Sequence, residues 1–166
     1  MQIIKIILSA LIIVLNVALN MPAIAQGTDG GARIKLLGKV ASDVSARVTV
    51  KQIESIGTSD LDAYNPYEKR NDVYTGVWMN EFVARFGQPD VKSVTFKAID
   101  DYEINFDPSE WKGLRILIAT RVNGKYIGLE EKGPMRIVFP DYDPGKSVYQ
   151  ENLPKWMWMI TKIEFK

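Results

Sequence analysis

The sequence of 166 residues contains neither cysteine nor histidine, and these two absences exclude much of enzyme chemistry. Without cysteine the chain has no disulfide, thiol nucleophile, thiolate metal site or iron–sulfur cluster. Without histidine it has no serine–histidine triad and no histidine-ligated zinc. What remains is acid–base chemistry by carboxylates, a hard cation held by carboxylates, or binding without catalysis.

A large excess of charge of either sign is also missing. The chain carries 21 basic and 20 acidic residues, which gives a formal net charge of +1. Surfaces that bind nucleic acid or anionic lipid need clustered basic side chains in excess. This balance therefore argues against nucleic acid as a partner and against a polybasic membrane-binding patch.

Residues 1–25 have the pattern of a secretory signal peptide. Lys5 supplies a positive charge, residues 6–19 are predominantly apolar, and a small-x-small pattern ends at Ala25. A membrane anchor is the alternative, but the apolar run is shorter than the about 20 residues that a spanning helix needs. We predict cleavage after Ala25, export to the periplasm, one folded domain over residues 26–166, and no membrane insertion after cleavage.

The first half of this domain favours two strands, 34–40 and 61–64, and two helices. Residues 34–40 are typical of a strand, and residues 49–57 fit a short helix because Thr49 and Gln52 have the spacing of a capping box. The β-branched start of the second segment makes a strand its alternative. Residues 77–86 carry the best helical pattern of the chain, with apolar side chains along one face.

The second half of the domain is rich in predicted strands. The pair Asn123-Gly124 indicates a tight hairpin turn, and Asp100-Asp101 indicates another. We predict an α+β fold, a mixed sheet with two or three short helices in a single domain. The predicted strands are 61–64, 93–99, 102–106, 114–120, 135–139 and 160–165, of which 114–120 is expected to be central and 160–165 an edge strand.

Three pairs of acidic residues are the candidates for metal binding or acid–base chemistry. Oxygen ligands of this kind suit a hard cation, and paired carboxylates also serve sugar hydrolysis. The alternative is that aspartates occupy turns by bonding their own backbone, and none of these pairs has the spacing of a ligand loop. We therefore predict no metal site and no catalytic residue at these pairs, which are Asp141 with Asp143, Asp100 with Asp101, and Glu130 with Glu131.

Two tryptophans and two arginines are the candidates for a binding pocket. Alternation places Trp156 and Trp158 on one face, where they serve either core packing or a pocket wall, and Trp156 is the better pocket candidate. Arg121 and Arg136 lie at the ends of predicted buried strands. A buried arginine must be paired, so each either has a structural carboxylate partner or presents its planar guanidinium to a ligand.

The order of these elements resembles the sulfite-oxidase-type molybdopterin-binding domain over roughly residues 34–165. The matching features are weak one by one and specific in combination. They are the early strand and helix at 34–56, the aromatic-x-Gly-Val start at Tyr74-Thr75-Gly76-Val77, Asp100-Asp101-Tyr102 after a strand, the Asn123-Gly124 turn, Gly133-Pro134-Met135-Arg136-Ile137-Val138-Phe139-Pro140, and Lys155-Trp156 before the last strand.

One departure from this family decides what the resemblance implies. Enzymes of the family hold molybdenum through one cysteine before the aromatic-Gly-Val segment, and here that region, residues 61–65, contains none. The resemblance then implies a small, non-catalytic periplasmic protein that binds a metal-free pterin. It implies signalling to a membrane receptor with a periplasmic domain, for example a sensor kinase or a receptor controlling cyclic-di-GMP synthesis or breakdown. The alternatives are a molybdopterin-dependent oxidoreductase and a ligand-free interaction module.

A pterin ligand sets chemical requirements that residues of this chain can meet. Its flat ring needs an aromatic or guanidinium face, its amino edge needs a carboxylate or backbone carbonyls, and its 4-oxo group needs a donor. The predicted ring contacts are Trp156, Tyr142, Tyr64 and Arg121; the predicted edge contacts are Asp141, Asp143 or Asp101; the predicted donor is Arg136 or a backbone amide, and Lys155 is expected beside Trp156.

Overall fold

The structure is a computed structural model, and it describes residues 30–166. The predicted signal peptide and its cleavage site after Ala25 lie outside the described residues. No helix within residues 30–166 is both long and apolar enough to cross a membrane.

The first of two sheets is mixed and contains the beginning and the end of the described chain. Its strands, numbered in chain order, are β1 (Arg33–Gly38), β2 (Arg47–Thr49), β5 (Val94–Ala98), β6 (Glu103–Phe106) and β10 (Ile160–Phe165). They lie in the order β2-β1-β10-β5-β6. Strands β1 and β10 run parallel, and the other neighbours are antiparallel.

The second sheet is antiparallel. Its strands are β3 (Ser59–Asn65), β4 (Arg70–Trp78), β7 (Leu117–Val122), β8 (Lys125–Tyr126) and β9 (Arg136–Val138). Strands β3, β4, β7 and β8 follow one another, and β9 pairs with β7. The predicted Asn123-Gly124 hairpin is confirmed, because it joins β7 to β8.

The helices are short, as predicted. They are α1 (Val50–Glu54), α2 (Met79–Phe86), α3 (Pro108–Gly113) and α4 (Ser147–Glu151), with 3₁₀ helices at Leu129–Glu131 and Leu153–Lys155. Together with the two sheets they confirm the α+β prediction.

A capping box starts two of the helices. The Thr49 side chain accepts a hydrogen bond from the Gln52 amide, and Gln52 accepts one from the Thr49 amide, as the spacing predicts. Asp107 and Glu110 form the same reciprocal pair at α3, where Pro108 occupies the first turn. Both boxes satisfy amide groups that a short helix would otherwise leave without partners.

The predicted helix over residues 77–86 is wrong at its start. Val77 and Trp78 belong to β4, and α2 begins at Met79. Gly76 explains the extended backbone here, because a Cβ at this position would lie 2.2 Å from the Ile118 carbonyl oxygen of β7. The glycine permits close pairing of β4 with β7, and this pairing overrides the local helical pattern.

The prediction that residues 160–165 form an edge strand is also wrong. Strand β10 lies in the middle of the first sheet, hydrogen-bonded to β1 on one side and to β5 on the other. Its alternating pattern fits a central strand with one face on the core as well as an edge strand. The buried side chains of Ile160, Ile163 and Phe165 face that core.

A single hydrophobic cluster joins the two sheets and α2. Phe82 of α2 packs against Phe96 of β5 and Phe165 of β10, with ring centroids 6.4 and 5.8 Å apart. Phe106 continues the row to Phe139, which follows β9. Aromatic rings thus connect the core directly to the segment that leads into the candidate site.

Candidate functional site

An aromatic cleft lies between turns of the two sheets. It has a volume of about 390 Å³. Tyr67 comes from the turn between β3 and β4, and Asp100 and Tyr102 come from the turn between β5 and β6. Ala98 is the last residue of β5, and the segment before β10 supplies the rest. The lining residues are Tyr67, Ala98, Asp100, Tyr102, Pro154, Trp156, Met157 and Trp158.

Tyr67 and Trp158 form an edge-to-face pair in the wall of this cleft. Their ring centroids are 5.5 Å apart and the ring planes are inclined by 80°. Lys132 places its Nζ 5.0 Å from the Trp158 ring, a cation–π distance. Tyr67 and Tyr102 remain 49% and 46% exposed, so both present ring surface to solvent.

The same two tyrosines hold the 3₁₀ helix Leu153–Lys155. The Tyr67 hydroxyl donates to the Leu153 carbonyl at 2.9 Å, and the Tyr102 hydroxyl donates to the Pro154 carbonyl at 2.8 Å. Burial raises the pKa of Tyr67, and the neighbouring tyrosine hydroxyls raise it further. Tyr67 therefore stays a hydrogen-bond donor at neutral pH. One tyrosine from each sheet fixes the same short segment.

Trp156 forms the inner side of the cleft and is also part of the core. It is 5% exposed, and its ring packs 5.9 Å from both Phe139 and Tyr142. Its indole Nε1 is buried without a hydrogen-bond partner among the described residues. Both sequence-based alternatives for Trp156, core packing and pocket wall, thus apply to the same side chain.

Tyr142 meets the Trp156 ring and Tyr64 stacks on Tyr142, but neither tyrosine lines the cleft. Their rings stack with centroids 6.5 Å apart and planes inclined by 24°. Tyr142 also meets Tyr149 edge-on at 6.1 Å. These tyrosines form an aromatic group that continues outward from Trp156.

The two neighbouring aspartates of the β5–β6 turn differ in position. Asp100 lines the cleft, and its Oδ1 accepts a hydrogen bond from the Tyr102 amide at 3.2 Å. Asp101 does not line it; its Oδ1 lies 3.4 Å from Lys97 Nζ and 3.9 Å from Lys162 Nζ. Asp101 is therefore engaged with lysines on the surface of the first sheet.

Arg136 is buried and paired with protein groups. Its Nη1 donates to Glu68 at 3.0 Å and its Nη2 donates to the Glu131 carbonyl, while Nε has no acceptor among the described residues. Arg136 lines a second, separate pocket beside the β7–β8 hairpin and not the aromatic cleft. The structural-pairing alternative for this arginine fits these contacts.

Arg121 belongs to a polar cluster on the second sheet and does not line the aromatic cleft. Its Nε and Nη2 form a two-point contact with Glu54 at 2.9 and 2.7 Å. The Tyr126 hydroxyl accepts from Arg121 and donates to Glu54, and Thr120 also donates to Glu54. We call these four residues the Glu54 cluster. It ties α1 to β7 and β8.

Hydrogen bonding decides the ionisation of Glu54 in this cluster. Burial disfavours the charged carboxylate, but the hydrogen bonds from Arg121, Thr120 and Tyr126 outweigh it and lower the pKa of Glu54. The Glu54 side chain is 7% exposed. A charge this buried is stable because all of these donors converge on it.

Lys155 and Asp141 form ion pairs outside the cleft. Lys155 pairs with Glu110 of α3 and places its Nζ 4.8 Å from the Phe106 ring. Asp141 lies 2.8 Å from Arg115 Nη1. Of the predicted ligand residues, Trp156 alone is among those that line the cleft.

Tyr67, Tyr102, Trp158 and Asp100 are the aromatic and acidic cleft residues that were not predicted as ligand contacts. Trp158 stood beside Trp156 in the aromatic run, and Asp100 and Tyr102 stood in the Asp-Asp-Tyr match, so a sequence signal existed for these three. Tyr67 stands in a charged turn with no local pattern that marks it. Its role depends on the hairpin β3–β4 reaching the segment before β10.

The comparisons with known proteins support the fold. No protein-family model matches the sequence, and no curated protein matches it significantly. Among solved structures, the sulfane dehydrogenase SoxCD from Paracoccus pantotrophus is similar, with a TM-score of 0.57 and 15% sequence identity. The likeness covers 80% of this chain and 37% of that one, so this chain spans little more than a third of its neighbour. The fold is sulfite-oxidase-like.

A molybdenum site of the kind that sulfite-oxidase-type enzymes hold through a cysteine does not fit the residues present. The region where the resemblance places the metal-binding cysteine is β3, and its residues offer no thiol. Within residues 30–166, no three side chains of the types His, Cys, Asp and Glu are grouped to hold a metal ion. The aromatic cleft groups two tyrosines and two tryptophans around one open space, a composition that suits contact with a flat ring.

Proposed function

We propose that this protein is an exported, non-catalytic pterin-binding protein that reports its ligand to a membrane receptor. The observation that carries the proposal is the aromatic cleft, with two tyrosines and two tryptophans around one open space. Flat heterocycles bind such walls by stacking and edge-to-face contact. The sulfite-oxidase-like fold is consistent with a ligand of the pterin type.

The size and composition of the cleft suit a small ring system. Its volume of about 390 Å³ lies in the range of ligand pockets, about 300–1,000 Å³. Most of its lining is aromatic or apolar, with Asp100 as the acidic group. Such a composition gives affinity through ring contact and orientation through a small number of polar groups.

Catalysis is not part of this proposal, because the chain offers no nucleophile–base pair of the usual kinds. It has no cysteine and no histidine. A molybdopterin-dependent oxidoreductase has less support, since the thiolate that would hold the metal is missing from the expected region. Binding alone requires none of these groups.

Export and a membrane receptor complete the proposal. The signal-like residues 1–25 support secretion to the periplasm, where a free pterin and the outer part of a membrane receptor would both be accessible. Ile99 and Leu129 are exposed apolar side chains at the rim of a small neighbouring pocket, and Tyr102 is exposed in the cleft itself. A receptor that contacts this face would sense whether the cleft is filled.

Pterin fluorescence provides the first test. Protein purified from a pterin-producing host is expected to release a fluorescent pterin on denaturation, or to bind an added reduced pterin with micromolar affinity. Absence of both would reject pterin binding. Membrane pull-down with and without pterin then distinguishes a sensor from a ligand-free interaction module, which would capture the same receptor in both conditions.

Two matched tyrosine variants locate the site. Tyr102 and Tyr64 are 46% and 42% exposed, and the first lines the cleft while the second does not. Tyr102→Ala is expected to weaken pterin binding by about 1–3 kcal/mol through loss of ring contact, whereas Tyr64→Ala should leave the affinity within a factor of two or so. Isothermal titration measures both. The reverse order would place the ligand on the outer aromatic group.

A further inference from the structure

One residue gives the aromatic cleft its polarity. Among the lining residues, Asp100 is the acidic one, and the others are tyrosine, tryptophan, methionine, proline or alanine. Aromatic walls accept any flat ring, since every such ring has a face to stack. Discrimination between flat rings by a charged acceptor therefore falls to Asp100.

The carboxylate of Asp100 has hydrogen-bonding capacity left over. Its Oδ1 accepts the Tyr102 amide, which shapes the turn, and no ion pair involves Asp100 in the part of the chain that the structure describes. Asp101 next to it has two lysines within 4 Å. Of the two, Asp100 is the carboxylate available to a ligand.

The geometry of a carboxylate selects one type of ring edge. Two oxygens accept best from two parallel N–H groups, as in a guanidinium. A 2-amino-4-oxo ring presents this pattern, with its amino group beside a ring N–H. A 2,4-dioxo ring of the same size places a carbonyl oxygen where the amino group would be, and that oxygen faces the carboxylate with like polarity.

We propose that Asp100 makes the cleft specific for flat heterocycles with a guanidine-like 2-amino-4-oxo edge and selects against 2,4-dioxo rings. This inference rests on the proposed pterin-binding function. It names the ligand class by the edge that the ring presents to Asp100. It also assigns orientation, because the amino edge lies toward the β5–β6 turn that carries Asp100.

Pterin and lumazine provide the test, because they share the bicyclic ring and differ in the 2-amino against the 2-oxo group. Affinities of both for the purified protein are measured by titration of intrinsic fluorescence. Wild-type protein is expected to prefer pterin by about tenfold, the effect of one charge-assisted contact. Asp100→Asn keeps the acceptor for the Tyr102 amide and should reduce the preference to about one, since an amide can both donate and accept.

Asp101→Asn is the matched variant. Asparagine tolerates the left-handed backbone of this position, φ +67°, so the turn is preserved. It should keep the wild-type preference for pterin. Equal binding of both rings by wild-type protein, or loss of the preference in Asp101→Asn instead of Asp100→Asn, would overturn the assignment of Asp100 and leave pterin binding in place. Binding of neither ring would overturn the assignment together with the proposed function.

Discussion

The Glu54 cluster and the aromatic cleft combine the same kinds of side chain with opposite results. In the Glu54 cluster, Arg121, Tyr126 and Thr120 all converge on one carboxylate, and Arg121 also lies 4.1 Å over the Tyr126 ring. In the cleft, ring faces are open and Asp100 has no ionic partner among the described residues. The first region uses its polar groups internally, whereas in the second the Asp100 carboxylate accepts only the Tyr102 amide within residues 30–166 and keeps hydrogen-bonding capacity.

This difference shows why chemical type alone is a poor guide to a binding site. Arginines and carboxylates at strand ends suggested ligand contacts, yet Arg121 and Arg136 have carboxylate partners at hydrogen-bonding distance. A residue supports binding when its capacity for hydrogen bonds exceeds what its neighbours use. Asp100 meets this condition and Glu54 does not.

The largest expected effect lies at the boundary between core and cleft. Trp156→Ala should lower the free energy of unfolding by about 3–5 kcal/mol, because a buried ring that contacts Phe139 and Tyr142 is replaced by a cavity. Denaturant unfolding measures the loss. Trp156→Phe is the control and should cost much less, since it keeps a ring and removes the unpartnered Nε1. A small loss in Trp156→Ala would show that Trp156 belongs to the cleft alone.

The second prediction tests whether the Glu54 cluster stabilises the fold. Glu54→Gln should lower the free energy of unfolding by about 2 kcal/mol at neutral pH, because Arg121 then faces an amide group that cannot accept both of its hydrogen bonds. Glu103→Gln, which removes an exposed pair with Lys97, should leave the free energy of unfolding nearly unchanged, because solvent screens an exposed ion pair. Pterin affinity should be unchanged in both variants.

The stability difference between wild type and Glu54→Gln should depend on pH in a definite direction. The pKa of Glu54 is lowered in the folded state, so its contribution to stability is complete above the unfolded value of about 4.3. That contribution is lost as the pH falls through the lower folded pKa. The stability difference between wild type and Glu54→Gln should therefore be constant around neutral pH and shrink in strong acid. A difference that grew on acidification would contradict the lowered pKa.

The smallest effect concerns the two tyrosines that hold the 3₁₀ helix. Tyr67→Phe and Tyr102→Phe each remove one hydroxyl donor and should each cost about 0.5–1 kcal/mol. Hydrogen exchange at the Trp156 amide, which donates to the Leu153 carbonyl, should become faster in the double variant. Unchanged exchange would show that the segment is held by packing alone.

Local features of the fold could be predicted where the physical cause is local. The capping box at Thr49 and the hairpin at Asn123-Gly124 need a few neighbouring residues, and both were found in the sequence. The extended backbone at Val77 and the central place of β10 depend on partners far away in the chain, and both were predicted wrongly. Pairing between distant strands determines these elements, and the periodicity of apolar residues along the sequence does not reveal which strands pair.

The cleft was only partly predictable, because it combines one local sequence pattern with contacts between distant segments. Trp156 was found because it lies in an unusual aromatic run, but Tyr67 and Tyr102 are single aromatic residues in separate turns. They become one wall because both hydroxyls reach the carbonyls of Leu153 and Pro154. Nothing near either tyrosine in the sequence indicates this shared contact.

The parallel pairing of β1 with β10 has a consequence for the order of folding. Lys35 pairs with Lys162, so the centre of the first sheet joins segments separated by almost the whole described chain. Without β10, the strands β2 and β1 and the strands β5 and β6 would remain as two separate pairs. The entropy of closing so long a loop must be overcome first, which slows folding. Until residues 160–165 are in place, the two strand pairs of the first sheet therefore stay unjoined.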